Sequence, residues 1–308
     1  MNLPKNKTIY VIFGIICIYI GFTLYSDINK ISEHFLHVNY LFLLIVLPIE
    51  ITSFFIRSIR QKILLDEIDV KISLITNFKI YVAGLSMTVT PGGSGSIIKS
   101  HFLKKSFNYS NSKTLPLVFV ERFHDFFAVT TIISISLLFS FLWQSLILVI
   151  LATIFLIITY SIARNFFLLE KFLFKIKKIK FLSKFVPTLE FSESLVILTT
   201  WKVTIKSWLI SVISWSLEIV TFYFVFKTFG VDFNFIEAGQ IVYTSILVGA
   251  LSFLPGGIGF TEGSLIALLI ERGYELSIVT AIVLMLRITT IWFATIFGFI
   301  FTHKFINN

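Results

Sequence analysis

The chain has 308 residues, of which 56% are apolar and only 14% charged, and its mean hydropathy is +0.91. Soluble domains carry about a quarter of charged residues, so a soluble globular protein is excluded; so is a large water-soluble catalytic domain, because apolar runs fill most of the length from Thr8 to Thr302. The 26 Lys and Arg against 17 Asp and Glu give a net charge of +9, which in a polytopic membrane protein speaks of loop topology and anionic-lipid contact rather than nucleic acid.

Lys5 and Lys7 precede the first apolar run, 8–24. No small-x-small cleavage site follows it and many more runs do, so it reads as an uncleaved first helix. Cys17, inside that run, is the only cysteine, which leaves no internal disulfide and no cysteine metal cluster to build. Further apolar runs occupy 40–56, 75–89, 115–143, 146–163, 208–226, 236–254 and 276–301. Open-ended segments in lipid satisfy their own backbone only as helices, so all are expected to be helical. The runs 75–89 and 236–254 are interrupted, by Lys79 and by Glu237 and Gln240, and each leads straight into Pro-Gly-Gly. The expected fold is an all-α polytopic membrane protein, one membrane domain over 1–308, with about six full transmembrane helices and two re-entrant or broken segments.

With those two segments turning back, the basic residues sort to one side: Lys5 and Lys7, then Arg57, Arg60, Lys62 and Lys71, then the loop 164–206, and finally Lys304. That side is expected to be cytoplasmic, with both termini on it, in the cell membrane. The other side receives Asp27, Glu33 and Asp232 against Lys30. Within the basic loop, Lys171, Lys175, Lys177, Lys178, Lys180 and Lys184 alternate with Phe172, Phe174, Ile176, Ile179, Phe181, Leu182 and Phe185. A helix there would lie on the inner leaflet, beside anionic headgroups.

The pattern Pro-Gly-Gly-x-Gly occurs twice, with Gly92, Gly93 and Gly95 after Pro91 and Gly256, Gly257 and Gly259 after Pro255. Arg122 follows Pro91 by 31 positions and Arg287 follows Pro255 by 32. Each half has four apolar segments with an acid in the second, Glu50 in one and Glu218 in the other. Repeat one is expected at about 8–143 and repeat two at about 144–302, entering the membrane from opposite sides. Inverted repeats with broken helices near the midplane are a transporter architecture.

Pro and Gly stop a helix, and the glycines let successive N–H groups face a cavity at the start of the next one, where an anion is favoured. Glu121, Arg122, His124 and Asp125 sit within the run 115–143, where a charge at depth costs roughly 2.5–3.5 kcal/mol. Arg122 and Asp125 are spaced for an ion pair on one helix face. Arg287 has no acid within four positions, so it must find Glu50, Glu121, Glu218 or Glu262 across helices, or a lipid headgroup. Glu262, just after the second motif, is placed to cap the next helix. Glu50 and Glu218 are candidates for coupling to an ion gradient. There is no Walker A sequence, GxGxxG or HExxH, and the five histidines do not cluster, so neither an ATP-driven pump nor an enzyme is expected, and no metal or cofactor.

PGGSGSIIK (91–99), ERFHD (121–125), LPGGIGFTEGSL (254–265) and LMLRITTIWFATIFGF (284–299) together resemble the flippase-like family related to the membrane part of bacterial lysylphosphatidylglycerol synthases, over nearly the whole chain. The resemblance implies a membrane protein that moves lipids between leaflets, aminoacylated phosphatidylglycerol in the synthase relatives. It also implies lipid-linked sugar roles for stand-alone members and, with the chain ending at Asn308, the translocating half without an aminoacyl-transferase domain. Where relatives often have a glutamate this chain has Ser96, followed by Lys99, and Thr261 stands where they often have arginine. The expected site for an anionic headgroup is Gly92, Gly93, Gly95, Lys99, Glu121, Arg122, Asp125, Gly256, Gly257, Gly259, Glu262 and Arg287. The lipid would be an anionic phospholipid, an aminoacyl-phospholipid or a polyprenyl-phosphate-linked lipid. The alternative is a non-transporting accessory subunit of a separate lipid synthase or glycosyltransferase.

Overall fold

The computed structural model describes residues 27–88, 97–177, 189–252 and 254–306. The first apolar run with Lys5, Lys7 and Cys17, the first glycine motif with Gly92, Gly93 and Gly95, and the lysines 178, 180 and 184 lie outside the described residues. Among the described residues there is no strand.

The helices in chain order are α1 (Ile28–Leu36), α2 (Leu43–Glu67, entered through a 3-10 turn at Tyr40–Phe42), α3 (Leu74–Leu85), α4 (Ile98–Phe107), α5 (Asn111–Ser136), α6 (Trp143–Arg164) and α7 (Phe166–Lys177). They continue with α8 (Leu189–Leu198), α9 (Trp201–Thr228), α10 (Phe235–Leu251), α11 (Phe260–Ile270), α12 (Leu276–Arg287) and α13 (Phe293–Ile306), the last two joined by a π-helical turn at Ile288–Trp292. Polar residues start these helices by accepting orphan backbone N–H groups. The Asp27, Ser73 and Ser110 side chains accept from Asn29, Thr76 and Ser112, and Asn234 with Glu237 forms a reciprocal capping box at α10. Glu237, expected as an interruption of an apolar segment, is thus the start of a helix. Gln240 donates to the Ser140 carbonyl at 2.9 Å.

Four helical stretches are long and apolar enough to cross a membrane: Tyr40–Glu67, Trp143–Arg164, Trp201–Thr228 and Leu276–Thr302. At 1.5 Å per residue the two 28-residue stretches measure about 42 Å, against about 30 Å of hydrocarbon. The 26-residue α5 has the length but carries Lys113, Glu121, Arg122 and Asp125. By the same measure the 12 residues of α3 and 17 of α10 reach only about 18 and 25 Å; α3 ends at Leu85 and α10 at Leu251, each ahead of a glycine motif in the sequence. The outer helix α6 leaves Ile147, Ile150, Leu151, Ile154, Ile157 and Ile158 exposed, a surface suited to lipid tails and not to water.

Several expected boundaries shift. The run 40–56 continues as helix to Glu67, because nothing after Ile56 breaks it and the polar residues that follow find buried partners. The run 115–143 stops at Ser136 and resumes at Trp143, after a turn in which Ser140 donates its amide to the Ser136 carbonyl. The stretch 164–206 is mostly helical, with α7, α8 and the first turn of α9. Phe191, Leu195 and Leu198 of α8 bury themselves in a core with Leu117 and Val120 of α5.

Two large apolar cores organise the packing, beside a smaller one of Phe54, Tyr81, Val82, Leu85 and Ala294. One gathers Val46, Val129, Ile133, Ile219, Phe222 and Val225 with much of α10 and α12. The other gathers Leu64, Leu65, Leu117, Val120 and Val203 with α3, α4 and α8. On each of α2, α5 and α9 the buried charged residues fall between the residues that enter one core and those that enter the other. The chain order of these contacts makes α2 antiparallel to both α5 and α9.

Candidate functional site

The layer between the cores is ionic. On α2, Glu50, Ser53, Arg57, Arg60 and Gln61 recur at helical spacing and are all buried. On α9 the facing stripe is Ser207, Ser211, Ser214, Glu218 and Thr221, also buried. The small hydroxyl residues let the two backbones approach and supply donors to the longer side chains opposite. The Arg57 guanidinium pairs with Glu218, donates from Nε to Ser214 Oγ at 2.6 Å, and lies 4.1 Å from the Trp215 ring centre. Ser53 donates to the same Glu218 oxygen at 3.1 Å, and Thr221 donates to Glu50 Oε1 at 2.7 Å. Arg60 Nη1 reaches both Asp125 Oδ1 of α5 and Ser211 Oγ of α9 at 2.5 Å. The Trp215 indole N–H also donates to Asp125, at 3.1 Å.

Arg57 and Arg60 correct the reading of the sequence, which sorted them with the basic residues on the side expected to be cytoplasmic. They are 8% and 1% exposed and hold the centre of the layer. The signal that reveals them is periodicity: Glu50, Ser53, Arg57 and Arg60 keep to one face of an unbroken helix, whereas loop residues need keep to none. Asp125 is held by Arg60 at 2.5 Å and also by Arg122 in the expected i,i+3 ion pair, at 3.6 Å. The Arg122 side chain is 45% exposed, against 9% for Arg287, so the two arginines of the matched spacing occupy different environments.

Lys99 leaves α4 and crosses α3 at Gly84 to reach the layer. Its ammonium pairs with Glu121, donates to Gln61 Oε1 at 3.0 Å and lies 5.2 Å from the centre of the Tyr81 ring. Gln61 in turn donates to Asn77 Oδ1 at 2.8 Å, and Asn77 to the Ser58 carbonyl at 2.6 Å. A Cβ on Gly84 would sit 2.6 Å from Lys99 Cγ. Gly84→Ala is therefore expected to displace Lys99 and cost about 1–3 kcal/mol, read as a lowered melting temperature in detergent.

At the second glycine motif the chain turns through Gly256 (φ 58°), Gly257 (φ 66°) and Gly259 (φ 88°), conformations that other residues adopt only with strain. α11 starts here, and Glu262 closes the turn: its Oε2 accepts from the Gly259 N–H and its Oε1 from Arg287 Nε, both at 2.7 Å. Glu262 is thus the helix cap expected of it and, of the acids open to Arg287, the one that pairs with it. Arg287 Nη2 is buried without a partner, and the π-helical turn begins at the next residue.

Each helix that follows a glycine motif is therefore fastened to the next long helix by one buried ion pair. The polarity is exchanged: Lys99 of α4 with Glu121 of α5, and Glu262 of α11 with Arg287 of α12. Of the expected coupling acids, Glu218 is held by an arginine and Glu50 by a threonine hydroxyl.

The arrangement is that of a membrane-embedded helical protein with a layer of charge inside its helices. The chain belongs to the family described as the lysylphosphatidylglycerol synthase TM region, whose profile matches residues 11–298. It is 25% identical, over 97% of both chains, to a UPF0104 membrane protein of Pyrococcus horikoshii. A UPF0104 membrane protein of Methanothermobacter thermautotrophicus is 39% identical over 80 residues, covering 26% of this chain and 24% of that one. No solved structure matches the chain.

Proposed function

We propose that this protein moves a lipid with an anionic headgroup between membrane leaflets: an anionic phospholipid, an aminoacyl-phospholipid or a polyprenyl-phosphate-linked lipid. The supporting observation is the ionic layer, in which Arg57, Arg60 and Lys99 meet Glu218, Asp125 and Glu121 midway along helices long enough to cross a bilayer. Apolar packing would hold the same helices together without the cost of burying six charges, and a polar headgroup crossing the hydrocarbon needs polar surroundings at that depth. In this reading the tails stay in lipid along the outer helices while the phosphate is drawn to Arg122, Arg287 and the two glycine motifs.

The two halves support it further. Each runs long helix, short helix, glycine motif, short helix, long helix: α2 to α5 in one and α9 to α13 in the other. Moreover, α3 packs on α13 of the other half as α10 packs on α5. We read this as an inverted repeat with two re-entrant hairpins and with both termini in the cytoplasm, so that one central site faces each side in turn. The protein acts as a transporter, not an enzyme.

The test is leaflet exchange in proteoliposomes of fluorescent phosphatidylglycerol, aminoacyl-phosphatidylglycerol and polyprenyl-phosphate lipids, with wild type and Arg122→Ala. Arg122 is chosen because its side chain is half exposed and Asp125 keeps Arg60 when it is removed. Exchange of one class, slowed about tenfold or more by the substitution, is expected from the loss of a charge-assisted hydrogen bond to phosphate. Absence of exchange from folded protein would overturn the proposal in favour of an accessory subunit for a separate lipid synthase or glycosyltransferase.

A further inference from the structure

The buried layer holds more acids than bases. Its bases are Arg57, Arg60 and Lys99, and a carboxylate answers each of them: Glu218, Asp125 and Glu121. Glu50 is a further acid of the layer, 1% exposed, and it forms no ion pair among the described residues. Its hydrogen-bond partner is the Thr221 hydroxyl, which donates to Oε1 at 2.7 Å.

The surroundings of Glu50 are reciprocal. Ser53, one turn after Glu50 on α2, donates to Glu218, and Thr221, one turn after Glu218 on α9, donates to Glu50. The two carboxyls therefore stand diagonally across the contact of α2 with α9, and Arg57 pairs with Glu218. The other groups that face Glu50 are Arg57 itself, two turns along α2, and Tyr243 of α10, whose hydroxyl donates to the Trp215 carbonyl. α3 and α5 bring Tyr81 and Asp125 to Arg57 and Arg60. The π-helical turn and Phe293 and Phe297 of α13, which also pack on α2, bring no titratable group.

A second carboxylate charge beside Glu218, buried and without a cation of its own, is opposed by desolvation and by like-charge repulsion, and a carboxyl so placed neutralises by binding a proton. Ordered water can hydrogen-bond a carboxylate but does not cancel its charge. A hard metal cation needs a shell of several oxygens, and no cluster of three or more acidic, histidine or cysteine side chains stands together among the described residues. A proton needs neither a shell nor a cavity. The two helices also belong to different halves of the chain, so the contact between Glu50 and its partners on α9 opens whenever the halves move against each other.

We propose that Glu50 is the proton-binding site that couples lipid translocation to a proton gradient. The proposal deepens the lipid-translocation reading and rests on it for what the proton is coupled to. A proton taken from water on one side of the membrane is held on Oε2 while Glu50 lies against Glu218, and passes to water on the other side when α2 and α9 part.

Two measurements test it. In a detergent without ester groups, the infrared spectrum of the wild type at neutral pH is expected to show the carbonyl stretch of a protonated carboxylic acid. Glu50→Gln should remove that band, and Glu33→Gln, at an exposed acid, should retain it. Glutamine is the neutral isostere and keeps an oxygen for Thr221, so the melting temperature of Glu50→Gln should match that of the wild type. In proteoliposomes with fluorescent phosphatidylglycerol, aminoacyl-phosphatidylglycerol and polyprenyl-phosphate lipids, a pH gradient is expected to change the rate of leaflet exchange by up to about tenfold per pH unit. That dependence should be lost in Glu50→Gln. A wild-type spectrum without the band would overturn the site, and so would a gain in melting temperature that requires sodium, which would put a metal ion there instead. The band together with exchange that ignores the gradient would overturn the coupling. The band without any exchange would count against translocation and leave the proton site standing, whereas exchange without the band would do the reverse.

Discussion

Arg287→Ala is expected to lower stability by about 3–5 kcal/mol, and adding Glu262→Gln to recover most of that loss. Glu262 is completely buried, and its carboxylate joins the Gly259 N–H at the start of α11 to Arg287 at the end of α12. Removing the arginine leaves a buried carboxylate without its counter-charge. Changing that carboxylate to an amide removes the charge and keeps an oxygen for the Gly259 N–H. The measurement is thermal unfolding in detergent of the wild type, both single variants and the double variant. Equal losses in Arg287→Ala and in the double variant would show that the pair contributes packing and not charge compensation.

Gly298→Ala should destabilise the protein by about 1–3 kcal/mol or more, since its methyl group has nowhere to go. A Cβ at Gly298 would stand 2.3 Å from the Ser86 amide nitrogen, 2.8 Å from the Leu85 carbonyl carbon and 2.8 Å from the Val82 oxygen, all backbone atoms of the turn that ends α3. No side-chain rotation relieves such contacts, so α13 must withdraw from α3. That withdrawal stretches the bonds from Thr302 Oγ1 to the Ala83 carbonyl and to Ser86 Oγ, each 3.1 Å. Gly263→Ala is the matched control: it lies within α11 with nothing inside 4 Å of the added carbon, and a helical alanine is expected to stabilise there by up to about 1 kcal/mol. Melting temperatures moving in opposite directions would confirm the close contact of α3 and α13; Gly298→Ala matching its control would refute it.

The two fastening pairs have exchanged polarity. Spacing aligns Arg122 with Arg287, yet the residue that does on α5 what Arg287 does on α12 is Glu121, one position earlier and of opposite charge. A search for identical residues passes over such a pair. A search for one buried charge on the helix after each motif and a complementary one on the next long helix would find it.

The sequence by itself determined the class of protein, most of the apolar helical segments and the break at the second glycine motif. Those features follow from local physics: a run of apolar residues long enough for hydrocarbon, and Pro-Gly-Gly where a helix cannot continue. It also showed which charges had to be explained, since Glu121, Asp125 and Arg287 stand in runs that penalise them. Tertiary structure alone decided how those charges are answered. Arg60 and Asp125 are 65 positions apart, Arg57 and Glu218 161, and each pair meets only because two helix faces pack together. Hydropathy reports whether a residue prefers lipid or water, but not which side chain will stand opposite it. For that reason Arg57 and Arg60 sort in the sequence with the basic residues of one membrane side and proved to be the centre of the buried layer in the fold.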